Sequence, residues 1–426
     1  MNKQMDAAPS RRQVIAGVNF FLASLQLPAW AQPTLETTPD GFRTLRISPV
    51  QGAAVPERTP QPDIWGYHGM TPGPTLRLRR GEELRVRLIN GMEEPTTVHW
   101  HGVRLPNAMD GAPTLTQEPV KGGASFDYRF MSPDAGTFWY HATPWQTARG
   151  LAGLLIVEET EPVEAARDHA LIFQNAAANS ESLVSVNGTS GLELPAPAAG
   201  RTRLRLVNAG AFLIRVQLGE ASPEALRAWV MAIDGQPAEP FLARGNRISL
   251  APGNRADMFV ETTFAPGTRV PIIVEPRRES APLAHLVIEG PPRSTPLADP
   301  KPLSANSLPQ RLDLARAQRV TVPLESVAAA VPAARPLFSV RRGRVVVLAL
   351  TNRSDFAQVV HLHGHSARLL DRLDDGWKPF WIDTLPVAPR ATERIAFLAD
   401  NPGKWAIDTQ AIGRDGAGLA GWFEVT

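Results

Sequence analysis

A chain of 426 residues is too long for one ordinary hydrophobic core and calls for two or three domains. Charged residues make up 20% and hydrophobic ones 43%, which excludes a disordered polar chain. A net charge of +2, with arginines scattered rather than clustered, leaves no basis for a nucleic-acid partner, and the absence of cysteine excludes disulfides and thiolate chemistry.

The chain opens with Ser10-Arg11-Arg12-Gln13-Val14-Ile15, twin arginines ahead of an apolar run over 14–27 that is too short to span a bilayer. Ala29-Trp30-Ala31 then supplies the small residues a signal peptidase requires before Gln32. Residues 1–31 are expected to be a twin-arginine (Tat) signal peptide, with an ordinary secretory signal or an uncleaved anchor as the alternative. The mature chain would have 426 − 31 = 395 residues, reside in the periplasm and keep no stable membrane span.

From there the pattern is short alternating apolar segments bounded by Pro, Gly and Asn. Residues 75–79 and 84–89 alternate at period two around Arg80-Gly81, and 203–207 and 345–350 read as further strands. Forty prolines and 33 glycines disfavour long helices and favour antiparallel sandwiches. A faint repeat links the segments 84–90, 204–208 and 345–352, each running apolar-polar into Asn90, Asn208 or Asn352 at a domain-sized period. The expected organisation is all-β: β-sandwich domains at 32–160, 161–292 and 314–426, with a Pro-, Ser- and Ala-rich linker at 293–313.

Six of the nine histidines fall in three segments: His99-Trp100-His101, Trp139-Tyr140-His141 and His361-Leu362-His363-Gly364-His365. On a strand, His-x-His turns both imidazoles to one face. A lone pair of this kind is more often a hydrogen-bonded core feature. Three such segments converging could build a metal site, because imidazole suits copper and zinc. His68, His169 and His285 have no motif around them and read as ordinary surface or core residues.

The runs Trp65-Gly66-Tyr67, Pro72-Gly73-Pro74-Thr75, Thr97-Val98-His99-Trp100-His101-Gly102 and Leu105-Pro106-Asn107-Ala108-Met109-Asp110-Gly111 resemble the first domain of bacterial laccase-like multicopper oxidases. Ile233-Asp234-Gly235-Gln236-Pro237 and Leu250-Ala251-Pro252-Gly253-Asn254-Arg255-Ala256-Asp257 are similar to the second domain. His361 to His365, Asn401-Pro402-Gly403-Lys404-Trp405 and Gly418-Leu419-Ala420-Gly421 are similar to the third. The resemblance implies three cupredoxin-like (Greek-key) β-sandwich domains, with metal ligands shared between the first and third.

Carried over residue by residue, the resemblance implies a degenerate site. The type 1 copper positions hold Gln358, Thr409, Arg414 and Leu419 in place of His, Cys, His and Met, so no type 1 copper is expected. Of the oxygen-reducing cluster, His99, His101, His141, His361 and His363 match, while Thr143, Asp408 and Gln410 replace histidines. The type 2 ligands His99 and His361 are both kept, which implies at most one copper ion, with Asp408 as a possible oxygen ligand. Two functions stay open. One is a non-enzymatic envelope scaffold with an unknown periplasmic protein partner, as in the copper-free cell-division proteins of the FtsP/SufI type, which the segment around Trp139 to Gly153 also resembles. The other is a copper-ion-binding protein or residual oxidoreductase with a mononuclear type 2-like site. Laccase-type oxygen reduction is expected to be absent.

Overall fold

The computed structural model describes residues 35–50, 64–175, 184–219, 225–275, 282–292, 295, 297–325, 332–370, 377–414 and 417–426, so the expected signal at 1–31 lies outside the described residues. Among these the fold is all-β, with one short α-helix, Pro144–Thr147. No described helix is long and apolar enough to cross a membrane.

Three sheet pairs follow one another along the chain, each a cupredoxin-like sandwich. Strands between 43 and 158 form two four-stranded sheets, those between 167 and 289 a six- and a five-stranded sheet, and those between 318 and 425 two five-stranded sheets. The same core recurs in each. Strand Arg43–Pro49 runs parallel to Glu83–Asn90, Arg167–Asn175 to Thr202–Asn208, and Gln318–Leu324 to Arg344–Asn352. Each second strand then pairs antiparallel with Ser125–Met131, Arg255–Thr262 or Thr392–Ala399. The sheets are therefore mixed rather than purely antiparallel, because Greek-key crossovers lay the first strand of each sandwich beside a later one running the same way.

The faint sequence repeat has a physical cause. Asn90, Asn208 and Asn352 are all buried, and each Nδ2 donates to the carbonyl four residues on, Glu94, Phe212 or Phe356, at 2.8 Å. Each also reaches a second, distant carbonyl: Val120, Leu250 or Val387. Each Oδ1 accepts the amide two residues on, from Met92, Gly210 or Ser354. The side chain satisfies backbone groups that the turn leaving the strand would otherwise bury unpaired.

Burial follows the strand period where one face is solvated. In Glu83–Asn90, Leu84, Val86 and Leu88 point inward while Arg85 and Arg87 alternate with them. In Thr202–Asn208 and Arg255–Thr262 every residue is buried, because the outer face of this sheet meets the first sandwich. Arg203 and Arg205 on that face are paired with Asp257, Glu159 and Asp168, and Thr137 of the first sandwich donates to Asp257 at 2.6 Å. Buried charge is tolerated only when paired in this way. The first and third sandwiches share a continuous apolar cluster that includes Trp100 and Trp405, whereas the middle one keeps its own. The histidine strands of the first and third sandwiches meet above that shared cluster.

Candidate metal centre

His99 and His101 lie on strand His99–His101, with Trp100 buried on the opposite face, as the period of two requires. The neighbouring strand Gly136–His141 sets His141 directly across from His99. In the third sandwich His361 lies opposite Asp408 near the end of its strand, and His363 follows in the turn, its amide bonded to the Ala406 carbonyl. All five candidate histidines come together. The His101 and His361 rings stack at 3.6 Å between centroids, and the His99 and His363 rings lie 3.9 Å apart.

Hydrogen-bond partners assign the protons. His99 Nδ1 lies 2.8 Å from the Asp110 carbonyl, and His361 Nδ1 lies 3.1 Å from the Asp383 carbonyl. A carbonyl only accepts, so both Nδ1 atoms donate, and in the neutral form of each ring it is Nε2 that carries the bare lone pair. Those two Nε2 atoms face each other at 3.1 Å. Opposed lone pairs repel unless a cation lies between them. Two nitrogens 3.1 Å apart, each about 2.0 Å from one ion, subtend roughly 100° there, an ordinary ligand angle. Metal-ligating histidines characteristically donate the other ring N–H to a carbonyl in this manner. The His99–His361 pair therefore fits a metal ion.

His101 makes a second, weaker pair. Thr384 Oγ1 donates to Asp383 Oδ1 at 2.7 Å and so accepts from His101 Nε2 at 2.9 Å. That leaves His101 Nδ1 bare, 3.3 Å from His141 Nε2, which is bare because His141 Nδ1 donates to the Ala142 carbonyl. Ligand nitrogens of His99, His101 and His361 all lie within 4.8 Å of one another. Burial pushes the His361 pKa down to about 4, helped by the neighbouring His363 and His99 and only partly opposed by Asp383. Burial also holds His101 and His141 well below the usual imidazole range, with His361 acting further on His101 and His99 on His141. These rings stay neutral at physiological pH, the form that ligates metal.

His363 behaves differently. Its Nδ1 donates to Asp110 Oδ2 at 2.9 Å and its Nε2 to Asp408 Oδ2 at 3.0 Å. Burial works against its charge, but the two carboxylates outweigh burial and raise its pKa to about 10. The imidazolium in turn holds Asp110, which is buried, and Asp408, which is only partly so, below the ordinary carboxylate range. At neutral pH His363 is thus a cation clamped between two anions. It has no lone pair to offer until that proton leaves. Asp408, a candidate oxygen ligand, is held by His363.

Two of the type 1 positions, Gln358 and Thr409, are taken up by a buried polar network. Thr409 Oγ1 donates to Gln358 Oε1 at 2.6 Å, and Gln358 Nε2 donates to the Glu325 carbonyl, Asn352 Oδ1 and Ser354 Oγ. Arg414 is exposed, its guanidinium over the Phe356 ring. These residues do not fit a copper ion. Thr143 stands at the position before helix Pro144–Thr147, its hydroxyl donating to Gln146 Oε1 and not to the helix backbone.

Sequence reasoning gave no role to Asp110, Asp383 or Thr384. Asp110 sits in the motif that carries the resemblance, an Asp-Gly following the histidine strand, so a signal existed. Asp383-Thr384 stands in an unremarkable strand pattern, and nothing local marks it.

Two family models described as multicopper oxidase match residues 50–162 and 303–426. A copper resistance protein A homologue from Pseudomonas syringae pv. tomato is 33% identical over 184 residues, covering 40% of this chain and 30% of its own. A multicopper oxidase, mco, from Staphylococcus epidermidis is 31% identical over 128 residues, covering 29% and 28%. The match thus spans less than a third of the length of these curated relatives. Among solved structures, a multi-copper oxidase from Pseudomonas thermotolerans superposes with a TM-score of 0.78 at 32% identity, covering 92% of this chain and 100% of that one. Lac15 from a marine microbial metagenome gives 0.76 at 30% identity, covering 90% and 99%.

Proposed function

The chain belongs to the multicopper oxidase family, and from that premise we propose that it is an exported, periplasmic copper-ion-binding protein without the laccase-type electron route. The observation that carries this reading is the pair of bare Nε2 atoms of His99 and His361 facing each other at 3.1 Å, with both Nδ1 protons tied to carbonyls. Copper bound there would supply a positive charge between the two lone pairs. The chain's own part is to hold neutral imidazoles in fixed tautomers within a buried site. The one bare nitrogen of His101, Nδ1, is turned toward His141 instead of this ion. The His101–His141 pair lacks a third imidazole, because Gln410 stands where the family has one, and holds a further ion only weakly.

Oxidation of an outer substrate is not part of this reading. Blue-copper electron entry needs a thiolate and two imidazoles, and Gln358, Thr409 and Arg414 provide none of them. Copper titration of the purified mature chain, with metal analysis after gel filtration, tests the proposal. One tight equivalent per chain supports it, whereas two or three tightly held ions, or none, refute it.

A second reading, a non-enzymatic scaffold, draws on a different observation. The Gln358–Thr409 network and the Asp110–His363–Asp408 clamp satisfy polar groups without any metal. A protein selected only for its surfaces would keep the fold in this way. Absence of copper binding together with an intact fold favours it.

A further inference from the structure

Arg255 reaches the histidines without touching them. It begins strand Arg255–Thr262 of the middle sandwich, which contributes none of the candidate ligands. Its guanidinium is fully buried and forked onto Asp383: Nη1 donates to Oδ1 at 2.7 Å and Nη2 to Oδ2 at 2.6 Å. Two neighbours in the middle sandwich grip the same turn. Asp234 Oδ2 accepts the amides of Asp383 and Thr384, both at 3.2 Å, and Asn254 Nδ2 donates to the Thr384 carbonyl at 2.9 Å.

The far side of that turn carries the histidines. The Asp383 carbonyl takes the His361 Nδ1 proton, and Thr384 Oγ1 takes the His101 Nε2 proton while its own hydroxyl is aimed by Asp383 Oδ1. A chain of contacts therefore runs from one guanidinium through a carboxylate and a hydroxyl to two imidazoles. The approach is close enough to need glycine on both sides. A Cβ on Gly102 would collide with Arg255 Nη2, and one on Gly253 would lie 2.9 Å from His101 Cε1. Both glycines also have φ near +84°, where side chains are strained.

We propose that Arg255 is a positioning residue for the metal centre: through Asp383 and Thr384 it fixes the tautomers and ring orientations of both imidazoles, turning the bare Nε2 of His361 toward the ion and the bare Nδ1 of His101 toward His141. Metal affinity is thereby tied to the seating of a sandwich that supplies no ligand. The inference rests on the reading of His99 and His361 as a copper site.

The test uses the full mature chain and three variants. Arg255→Lys keeps the charge and loses the fork. Thr384→Val removes the hydroxyl that accepts from His101 and lies 3.2 Å from His361 Nδ1, and keeps shape and charge. Arg203→Lys alters an equally buried arginine of the same sandwich that binds Asp257 and Glu159 and makes no contact with Asp383. Copper(II) affinity is read by chelator competition, and the nitrogen hyperfine pattern by electron paramagnetic resonance. Arg255→Lys and Thr384→Val should each weaken binding by about 10- to 100-fold and change the hyperfine pattern. Arg203→Lys should lose thermal stability but bind as the parent does. Parent-like affinity and spectrum in the first two variants, or equal weakening in all three, would overturn the proposal. Should Arg255→Lys fail to fold, Thr384→Val decides. Should the parent protein bind no copper, the copper-site reading falls by itself, and crystal structures of the metal-free proteins settle the positioning. Rings of His101 and His361 turned in the variants uphold it, and unmoved rings refute it.

Discussion

Thr409 and Gln358 are hydrogen-bonded to each other at 2.6 Å, across neighbouring strands, at two positions where the resemblance to the family places a cysteine and a histidine. Two residues that would each bind copper in a relative instead bind one another. The purified protein should therefore lack the intense blue thiolate-to-copper band even when loaded with copper. It should also show no phenol-dependent oxygen uptake. Thr409→Cys alone should not restore the band, because Gln358 offers no imidazole and Arg414 lies exposed against Phe356. Visible absorption of the copper-loaded proteins decides each point.

His99→Ala removes one of the two facing nitrogens and leaves the Asp110 carbonyl without its donor. Loss of a buried partner of this kind costs about 1–3 kcal/mol, within what a domain of this size withstands. The tight copper equivalent should disappear while the far-ultraviolet circular dichroism stays that of a β protein. His141→Ala should leave the tight equivalent in place, because His141 belongs to the weaker pair. Retention of tight binding in His99→Ala would move the ion elsewhere.

Stability should fall on both sides of neutrality, for opposite reasons. His363 has its pKa raised to about 10 by Asp110 and Asp408, against about 6.5 for an unfolded histidine. Its contribution is complete below the unfolded value and is lost as pH rises toward 10. His361 is depressed to about 4 by burial, so its contribution is complete above the unfolded value and is lost as pH falls. A tenfold difference in proton affinity between the folded and unfolded chain is worth about 1.4 kcal/mol, so both limbs should be measurable in urea midpoints. His363→Gln should be less stable than the parent at neutral pH, with Asp110 and Asp408 left unneutralised. It should lose the alkaline slope. An unchanged alkaline slope in that variant would show that another group titrates there.

The three asparagines should behave as one structural device. Asn208→Ala strands the carbonyls of Phe212 and Leu250 and the amide of Gly210 in a buried turn. A loss of about 2–4 kcal/mol is expected from that, and a similar loss for Asn90→Ala. Asn352→Ala should cost more, because Asn352 Oδ1 also receives Gln358 Nε2 and Ser354 Oγ. Thermal or urea denaturation of the three variants checks the order.

Much of this molecule was determined by local sequence. Period-two alternation in 84–89 fixes which side chains face the core, because successive strand residues point to opposite faces. His-x-His spacing places His99 and His101 on one face for the same reason. The three asparagines at strand ends marked a repeat, because each satisfies its own turn within four residues. The absence of cysteine leaves a blue-copper centre without the thiolate it needs.

Only the tertiary structure decided which nitrogen faces which. His99 meets His361 across 262 positions of chain, His101 meets Thr384 across 283, and Arg255 meets Asp383 across 128. No local pattern encodes such meetings, since they arise when the three sandwiches pack. The charge of His363 belongs to the same level. Its sequence context matches that of a metal ligand, yet two carboxylates 253 and 45 positions away keep it protonated. Ionisation is set by burial and by the field of neighbouring charges, and both exist only once the chain has folded.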